Sequence, residues 1–220
     1  MPAWTRRRAA FGLGLLGFAP GVSFSQTPFV LVMLGDSLTA GYGLAAKFAI
    51  PAQLEDVLRA QGYSVRVVNA GLSGDTSEGG LARLDFSVGA NASGVLVALG
   101  GNDMLQGRPP SETRANIAAI VKNLKARKLR VALAGMRAAA NFGAAQRQAF
   151  DAIFPAVAEA YRVKLYPFLL DGALGDARAM QADGIHPNAE GALIVARRLA
   201  PFVVEAFDLH RDHSGDRKRP

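Results

Sequence analysis

Short apolar runs alternate along the chain with stretches whose apolar residues recur every three or four positions. The apolar runs are rich in Val and Leu and predict five strands buried on both faces, over residues 29–34, 65–68, 95–99, 131–134 and 165–169. Helical spacing predicts helices over residues 51–61, 78–87, 111–127, 144–161 and 188–206. Strands that alternate regularly with helices predict an α/β fold, in which a five-stranded parallel sheet lies between two layers of helices.

Composition narrows the class of protein. The chain has 220 residues, of which 50% are hydrophobic, enough for one domain with a substantial core. It has no cysteine, which excludes disulfides, thiolate chemistry and Cys-ligated metals. The net charge of +7 raises the possibility of an anionic partner. Five of the cations cluster at 122–130, near the end of a predicted helix and without interleaved aromatic residues, so we expect a solvated helix face and no nucleic-acid partner.

The N-terminus has the pattern of an export signal. Arg6–Arg8 precede an apolar run over residues 9–18, and Ser23 and Ser25 provide small residues before a possible cleavage site. The three arginines also permit twin-arginine export, and a buried N-terminal helix is the alternative. The apolar run is too short to span a bilayer. We therefore expect a signal peptide at 1–25, a single domain at 26–207 and a disordered polar tail at 208–220, in a periplasmic or secreted protein without stable membrane insertion.

Polar, glycine-rich segments follow the first three predicted strands. They comprise residues 35–37, 69–74 and 100–103. Because the carboxyl ends of parallel strands meet at one edge of the sheet, these segments are expected to converge on one crevice. Within the crevice, Asp36, Asp75 and Asp103 raise the alternative of a Mg²⁺ site for a metal-dependent phosphatase, although turn carboxylates commonly accept backbone N–H bonds instead.

Ser37 and His186 carry the candidate chemistry. Ser37 lies on a tight turn after a buried strand, and His186 follows Asp183 by three residues. A neutral imidazole can take a proton from a serine hydroxyl while a carboxylate fixes its tautomer. Taken alone, however, a serine in a loop commonly caps a helix, and His186 is as readily explained as a cap of the last helix. Gly74 and Asn102 add a backbone N–H and an uncharged side-chain donor for an oxyanion.

Four ordered segments make the combination specific: residues 35–38, 69–76, 100–103 and 183–188, which read GDSL, NAGLSGDT, GGND and DGIHPN. Together they resemble the four blocks of the SGNH (GDSL) hydrolase superfamily, in particular its secreted bacterial thioesterase, lysophospholipase and arylesterase branch. The resemblance extends from about residue 30 to residue 202. It implies a flavodoxin-like three-layer α/β/α sandwich, no cofactor, no metal, and hydrolysis through an acyl-enzyme. The substrates it implies are acyl esters, aryl esters, acyl thioesters and lysophospholipids.

The resemblance also implies a role for each matched residue. Ser37 would be the nucleophile, His186 the general base and then acid, and Asp183 the residue that orients His186. The Ser37 and Gly74 amides and the Asn102 side chain would form the oxyanion hole. The alternative is a non-catalytic lipid- or glycan-binding relative that kept the fold. The sequence does not indicate an oligomeric state.

The hydrophobic side of the pocket is expected to use Met104, Leu105, Phe142 and Ile185, each adjacent to a matched segment. Related enzymes often carry Leu-Pro where this chain has Ala138-Ala139, so the acyl-contacting wall is expected to differ. Residues 75–80 are small and polar, which suggests a segment that moves over the substrate.

Overall fold

The computed structural model describes Met1, residues 27–139 and residues 141–211. Its strands are β1 (Phe29–Gly35), β2 (Val65–Gly71), β3 (Gly94–Ala98), β4 (Arg130–Ala134) and β5 (Lys164–Tyr166). Its helices are α1 (Ser37–Ala40), α2 (Ile50–Ala60), α3 (Ser77–Ala82), α4 (Leu84–Ser87), α5 (Gly101–Leu105), α6 (Pro110–Ala126), α7 (Ala144–Asp151), α8 (Ile153–Tyr161) and α9 (Ala189–Phe207). A 3₁₀ turn covers Ala46–Phe48.

The five strands form one parallel sheet in the order β2-β1-β3-β4-β5. Side chains alternate between its two faces, so Leu31 and Met33 enter one hydrophobic core while Val32 and Leu34 enter the other. Helices α2 and α9 cover the first core, and α6 and α8 cover the second. The predicted three-layer α/β/α sandwich is therefore confirmed, and the strand order is that of flavodoxin.

Two predicted helices are each divided in two, and the last predicted strand is shorter than the sequence indicates. The helix predicted over residues 78–87 divides into α3 and α4 at Arg83, and the one predicted over 144–161 divides into α7 and α8 at Ala152. Strand β5 ends at Tyr166, because Pro167 has no N–H to donate to a ladder. At the break, the Arg83 side chain turns toward the sheet, where it donates to the carbonyls of Gly35 and Ala70.

The two ends of the chain bear on the domain predictions. The predicted signal peptide lies outside the described residues, Met1 apart, and so do residues 212–220 of the predicted tail. Residues 208–211 lie against the domain, where Leu209 packs on the first core and Arg211 forms an isolated antiparallel bridge with Tyr63. Within the part of the chain that the structure describes, no helix is both long and apolar enough for a membrane crossing.

Candidate active site

The site lies where the strand order reverses, at the carboxyl ends of β1 and β3. Ser37 is the first residue of α1, and the carboxylate of Asp36 caps this helix by accepting the Leu38 N–H at 3.0 Å. Gly35 allows α1 to pack closely on the sheet, because a Cβ there would lie 2.0 Å from Thr39 Oγ1. The local sequence therefore presents the Ser37 hydroxyl at the crevice that parallel sheets use for ligands.

Ser37, His186 and Asp183 form a continuous hydrogen-bonded chain. His186 Nε2 lies 2.9 Å from Ser37 Oγ, and His186 Nδ1 lies 2.7 Å from Asp183 Oδ2. The other oxygen of Asp183 accepts the backbone N–H groups of Ile185 at 2.9 Å and His186 at 3.0 Å. The backbone N–H and the ring of His186, with the Ile185 N–H, lower the pKa of Asp183 to about 2. An ionised Asp183 holds the proton on Nδ1, which leaves the Nε2 lone pair facing the Ser37 hydroxyl.

Three residues with available hydrogen-bond donors line the cavity beside the Ser37 hydroxyl. The backbone N–H groups of Ser37 and Gly74 have no acceptor among the residues that the structure describes. Gly74 has φ +83°, a conformation that side chains other than glycine's rarely adopt. Asn102 donates one side-chain hydrogen to the Asp75 carbonyl at 2.9 Å, which fixes its amide plane and leaves the second hydrogen available. Ser37, Gly74 and Asn102 all line the cavity.

Asp103 fixes the loop that contains Gly74. Its buried carboxylate accepts the Ser77 N–H at 2.7 Å, the Ser77 hydroxyl, and the Thr113 hydroxyl at 3.3 Å. Ser77 is fully buried, and Asp75 and Thr76 are also buried. Residues 75–80, which the sequence predicts to move over the substrate, lead into α3 and are held by buried hydrogen bonds at Ser77, an arrangement that does not favour such a movement.

The three carboxylates of the crevice have separate environments. Asp36 is 2% exposed, and burial raises its pKa to about 6 against the opposing effects of the Leu38 N–H and His186. Asp75 pairs with Arg83 at 2.7 Å, and Asp103 is occupied by its hydroxyl and amide donors. Across residues 27–139 and 141–211, no three His, Asp or Glu side chains are grouped as metal ligands. This arrangement does not favour the metal-dependent phosphatase.

The cavity beside Ser37 has a volume of about 680 Å³ and a mostly apolar wall. Of the four residues predicted for that wall, Met104, Leu105 and Ile185 line the cavity. Phe142 is not among the lining residues, and its N–H donates to the Ala139 carbonyl at 3.1 Å. Ala138 and Ala139, the positions where the acyl-contacting wall is expected to differ, also line the cavity. Wall residues that the sequence analysis missed are Tyr42, Met136, Arg137, Phe168, Leu170 and Leu174. Most of them follow β4 and β5, so the rule that placed ligands at strand ends would have found them had it been applied to all five strands.

The fold and the site together define a class, that of α/β/α proteins with a hydrogen-bonded Ser-His-Asp arrangement at the carboxyl ends of a parallel sheet. Residues 33–194 match the model of the GDSL-like Lipase/Acylhydrolase family. The thioesterase 1/protease 1/lysophospholipase L1 of Escherichia coli (strain K12) is 40% identical over 178 residues, which cover 79% of this chain and 84% of the relative.

Two further relatives agree with this match. An arylesterase of Vibrio mimicus is 35% identical over 182 residues, or 82% of this chain and 91% of the relative. The crystal structure of TesA superposes with a TM-score of 0.76 at 36% identity, covering 80% of this chain and 99% of that one. The chain therefore belongs to the GDSL-like lipase/acylhydrolase family, as its four segments predicted, and it is an ester hydrolase.

Proposed function

We propose that this ester hydrolase cleaves carboxylic esters and thioesters through a Ser37–His186–Asp183 triad and an acyl-enzyme. His186 Nε2 takes the Ser37 proton as Oγ attacks the acyl carbon, and the carbonyl oxygen becomes an oxyanion. The imidazolium then gives its proton to the departing alcohol or thiol. A water molecule, activated by the same nitrogen, attacks the acyl-enzyme and releases the acid with Ser37 regenerated.

The observation that carries the proposal is the geometry around the Ser37 hydroxyl. The 2.9 Å and 2.7 Å contacts align Ser37, His186 and Asp183 so that one proton transfer leaves a stabilised imidazolium. The Ser37 and Gly74 N–H groups and the free hydrogen of Asn102 supply donors for the oxyanion. Removing a single such donor typically slows catalysis by about 10²–10³-fold, so the three together support a large part of the rate.

The cavity supports an apolar acyl or aryl group as the bound part of the substrate. Its wall is formed largely by Met, Leu, Ile and Phe side chains, whose contacts favour hydrocarbon over sugar or peptide. Relatives named as thioesterase, lysophospholipase and arylesterase support the same range of substrates: acyl esters, aryl esters, acyl thioesters and lysophospholipids. Within that range we propose that the acyl side contacts Met104, Leu105 and Ile185.

Replacement of the nucleophile tests the mechanism. Ser37→Ala is expected to reduce hydrolysis of p-nitrophenyl butyrate by at least about 10³-fold and to abolish labelling by a fluorophosphonate probe. The matched control is Ser111→Ala, an exposed serine on α6, which should keep full activity and labelling. Wild-type turnover by folded Ser37→Ala would refute the serine mechanism. Binding of a fatty acid by a wild-type protein that is neither labelled nor active would favour the non-catalytic lipid-binding alternative.

We also propose that the chain is exported to the periplasm or beyond the cell. The support is the basic start at Arg6–Arg8 and the short apolar run that follows it. Fusing residues 1–30 to a phosphatase that is active only outside the cytoplasm should give an active fusion. Replacing Arg6–Arg8 with glutamines should reduce that activity, and an inactive wild-type fusion would contradict export.

A further inference from the structure

Arg83 lies at the break between α3 and α4, and its side chain is 18% exposed. The break turns the guanidinium away from solvent and under the loops that follow β1 and β2. A guanidinium carries five N–H donors in a fixed plane, so it can hold several acceptors in one arrangement. The acceptors around Arg83 belong to separate parts of the chain.

Four of these hydrogen bonds are well formed. Nε donates to Asp75 Oδ2 at 2.7 Å, and Nη2 donates to the Gly35 carbonyl at 2.9 Å. Nη1 donates to the Ala70 carbonyl at 3.0 Å and to the Ser87 hydroxyl at 2.8 Å. One side chain thereby joins the end of β1, the end of β2 and the loop after β2.

Two of these attachment points, Gly35 and Asp75, are close to the proposed oxyanion donors. Gly35 precedes the Ser37 amide by two residues, and Asp75 directly follows Gly74. The backbone carbonyl of Asp75 accepts the Asn102 side chain at 2.9 Å, so the position of Asp75 also sets the orientation of that amide. The guanidinium of Arg83 is therefore connected, through one or two residues, to all three donors.

Arg83 also compensates a charge. Asp75 is 8% exposed and lies near enough to Asp36 to disfavour ionisation of that carboxyl group. Without a cation beside it, the Asp75 carboxylate would oppose the negative charge that develops on the substrate oxygen. The ion pair with Arg83 removes that opposition and holds the loop at the same time.

We propose that Arg83 is the positioning residue of the oxyanion hole. It contacts no substrate atom, and it acts by setting the relative positions of the Ser37 amide, the Gly74 amide and the Asn102 side chain. A donor displaced by about 1 Å can cost on the order of 10²-fold in rate, because these donors stabilise the transition state more than the bound substrate. The inference rests on the proposed Ser37 mechanism.

Arg83→Lys tests the proposal, because a lysine keeps the charge beside Asp75 but cannot also reach the Gly35 and Ala70 carbonyls with a planar fork. We expect kcat for p-nitrophenyl butyrate to fall about 10- to 100-fold, KM to stay within about twofold, and fluorophosphonate labelling to slow in parallel. The control is Arg198→Lys, which alters an exposed pair with Asp171 at 2.9 Å and should leave all three quantities unchanged.

A double-mutant cycle with Asn102→Ala separates positioning from a general loss of structure. If Arg83 acts through the oxyanion hole, Asn102→Ala should lower kcat by a smaller factor in the Arg83→Lys background than in the wild type. Losses that multiply independently, or a folded Arg83→Lys enzyme with kcat within twofold of wild type, would overturn the proposal. If Ser37→Ala retained activity, the serine mechanism itself would have failed instead.

A second variant keeps the test decisive if Arg83→Lys does not fold. Asp75→Asn retains the shape of the side chain and leaves Arg83 on the Gly35 and Ala70 carbonyls, while it weakens the bond to the Gly74 loop. We expect a loss in kcat of about tenfold without a change in KM. An unchanged kcat in folded Asp75→Asn would overturn the proposal.

Discussion

The proposed active site consists of two halves that are constructed differently. The nucleophile half comprises residues 35–37, 74–75 and 102. It is held by the partly buried hydrogen bond that Arg83 donates to the Gly35 carbonyl and by the buried hydrogen bond that Asp103 accepts from the Ser77 N–H. The base half comprises residues 181–187, a surface loop in which Asp183 is 37% exposed. Donors that stabilise a developing charge have to be fixed relative to one another across three segments. A base needs only to be aligned with one hydroxyl, and a self-contained turn achieves this.

The two carboxylates beside the catalytic groups show the same contrast. Asp36 in the nucleophile half is buried, and burial raises its pKa to about 6. Asp183 in the base half accepts bonds from the His186 ring and from two backbone N–H groups, which lower its pKa to about 2. Desolvation acts on the first and hydrogen bonding on the second. Between pH 3 and pH 6, Asp36 is therefore mainly protonated and Asp183 mainly ionised.

The largest expected effect is that of Asp183→Asn, which tests whether the base half depends on charge. An asparagine still accepts the Ile185 and His186 backbone N–H groups, so the turn should persist. It no longer fixes the proton on Nδ1, and kcat/KM at pH 7.5 should fall about 10³–10⁴-fold. Asp176→Asn is the matched control, because Asp176 accepts the Arg178 N–H in a similar exposed turn away from the cavity. A loss below tenfold would show that the turn geometry alone suffices.

Much of the fold and of the site could be predicted from the sequence because the signals are local. Strands buried on both faces read as unbroken apolar runs, and the GDSL and DGIHPN segments place Ser37, Asp183 and His186 on identifiable turns. The positions of the strand ends then follow from parallel pairing. These features are encoded by residues adjacent in sequence, so a single chain reveals them.

The parts that the sequence did not reveal depend on contacts between distant segments. The residues next to Arg83 do not indicate that its helix breaks there. The carbonyls that bind the Arg83 side chain at the break belong to Gly35 and Ala70, in other strands. The prediction that Phe142 lines the cavity rests on its place beside a family segment, but proximity in sequence does not determine which way a loop turns. Residues 75–80, predicted to move over the substrate, are held at Ser77 by Asp103 on α5, which Thr113 on α6 also contacts, and the local sequence does not indicate these contacts.

An intermediate effect is expected for Asp36→Asn, which should change how the free energy of unfolding depends on pH. The native state retains the Asp36 proton between pH 3.8 and about 6, where the unfolded chain has released it. The contribution of Asp36 to the free energy of unfolding therefore falls as the pH rises through that window, by up to roughly 3 kcal/mol. An asparagine at this position still accepts the Leu38 N–H and cannot ionise.

Urea unfolding of wild type and Asp36→Asn at pH 4 and pH 7 measures this contribution. The variant should gain stability relative to wild type on going from pH 4 to pH 7, while Asp56→Asn, at an exposed position on α2, should show no comparable gain. The difference in the free energy of unfolding between wild type and Asp36→Asn could instead stay constant over this range. That result would mean that the nucleophile half is more hydrated than the 2% exposure of Asp36 indicates.

The smallest expected effect concerns the connection between the two halves. Gln181 Nε2 donates to the Tyr42 carbonyl at 2.7 Å and to the Pro187 carbonyl at 3.0 Å, which joins the loop after α1 to the loop of His186. The Tyr42 ring also packs against the imidazole, with 4.7 Å between ring centroids. Gln181→Ala removes the hydrogen bonds but leaves the Asp183–His186 turn intact. We therefore expect kcat to fall only about three- to tenfold, less than for Arg83→Lys.

The matched control for Gln181→Ala is Gln53→Ala, which removes a side-chain amide bond of 2.7 Å to the Lys47 carbonyl on a distant surface. It should leave kcat unchanged. The comparison of the two halves predicts this ranking because His186 keeps its alignment through Asp183, whereas the proposed oxyanion donors depend on Arg83 for theirs in our proposal. A loss for Gln181→Ala larger than that for Arg83→Lys would reverse the ranking. The base half would then depend on its neighbours as much as the nucleophile half does.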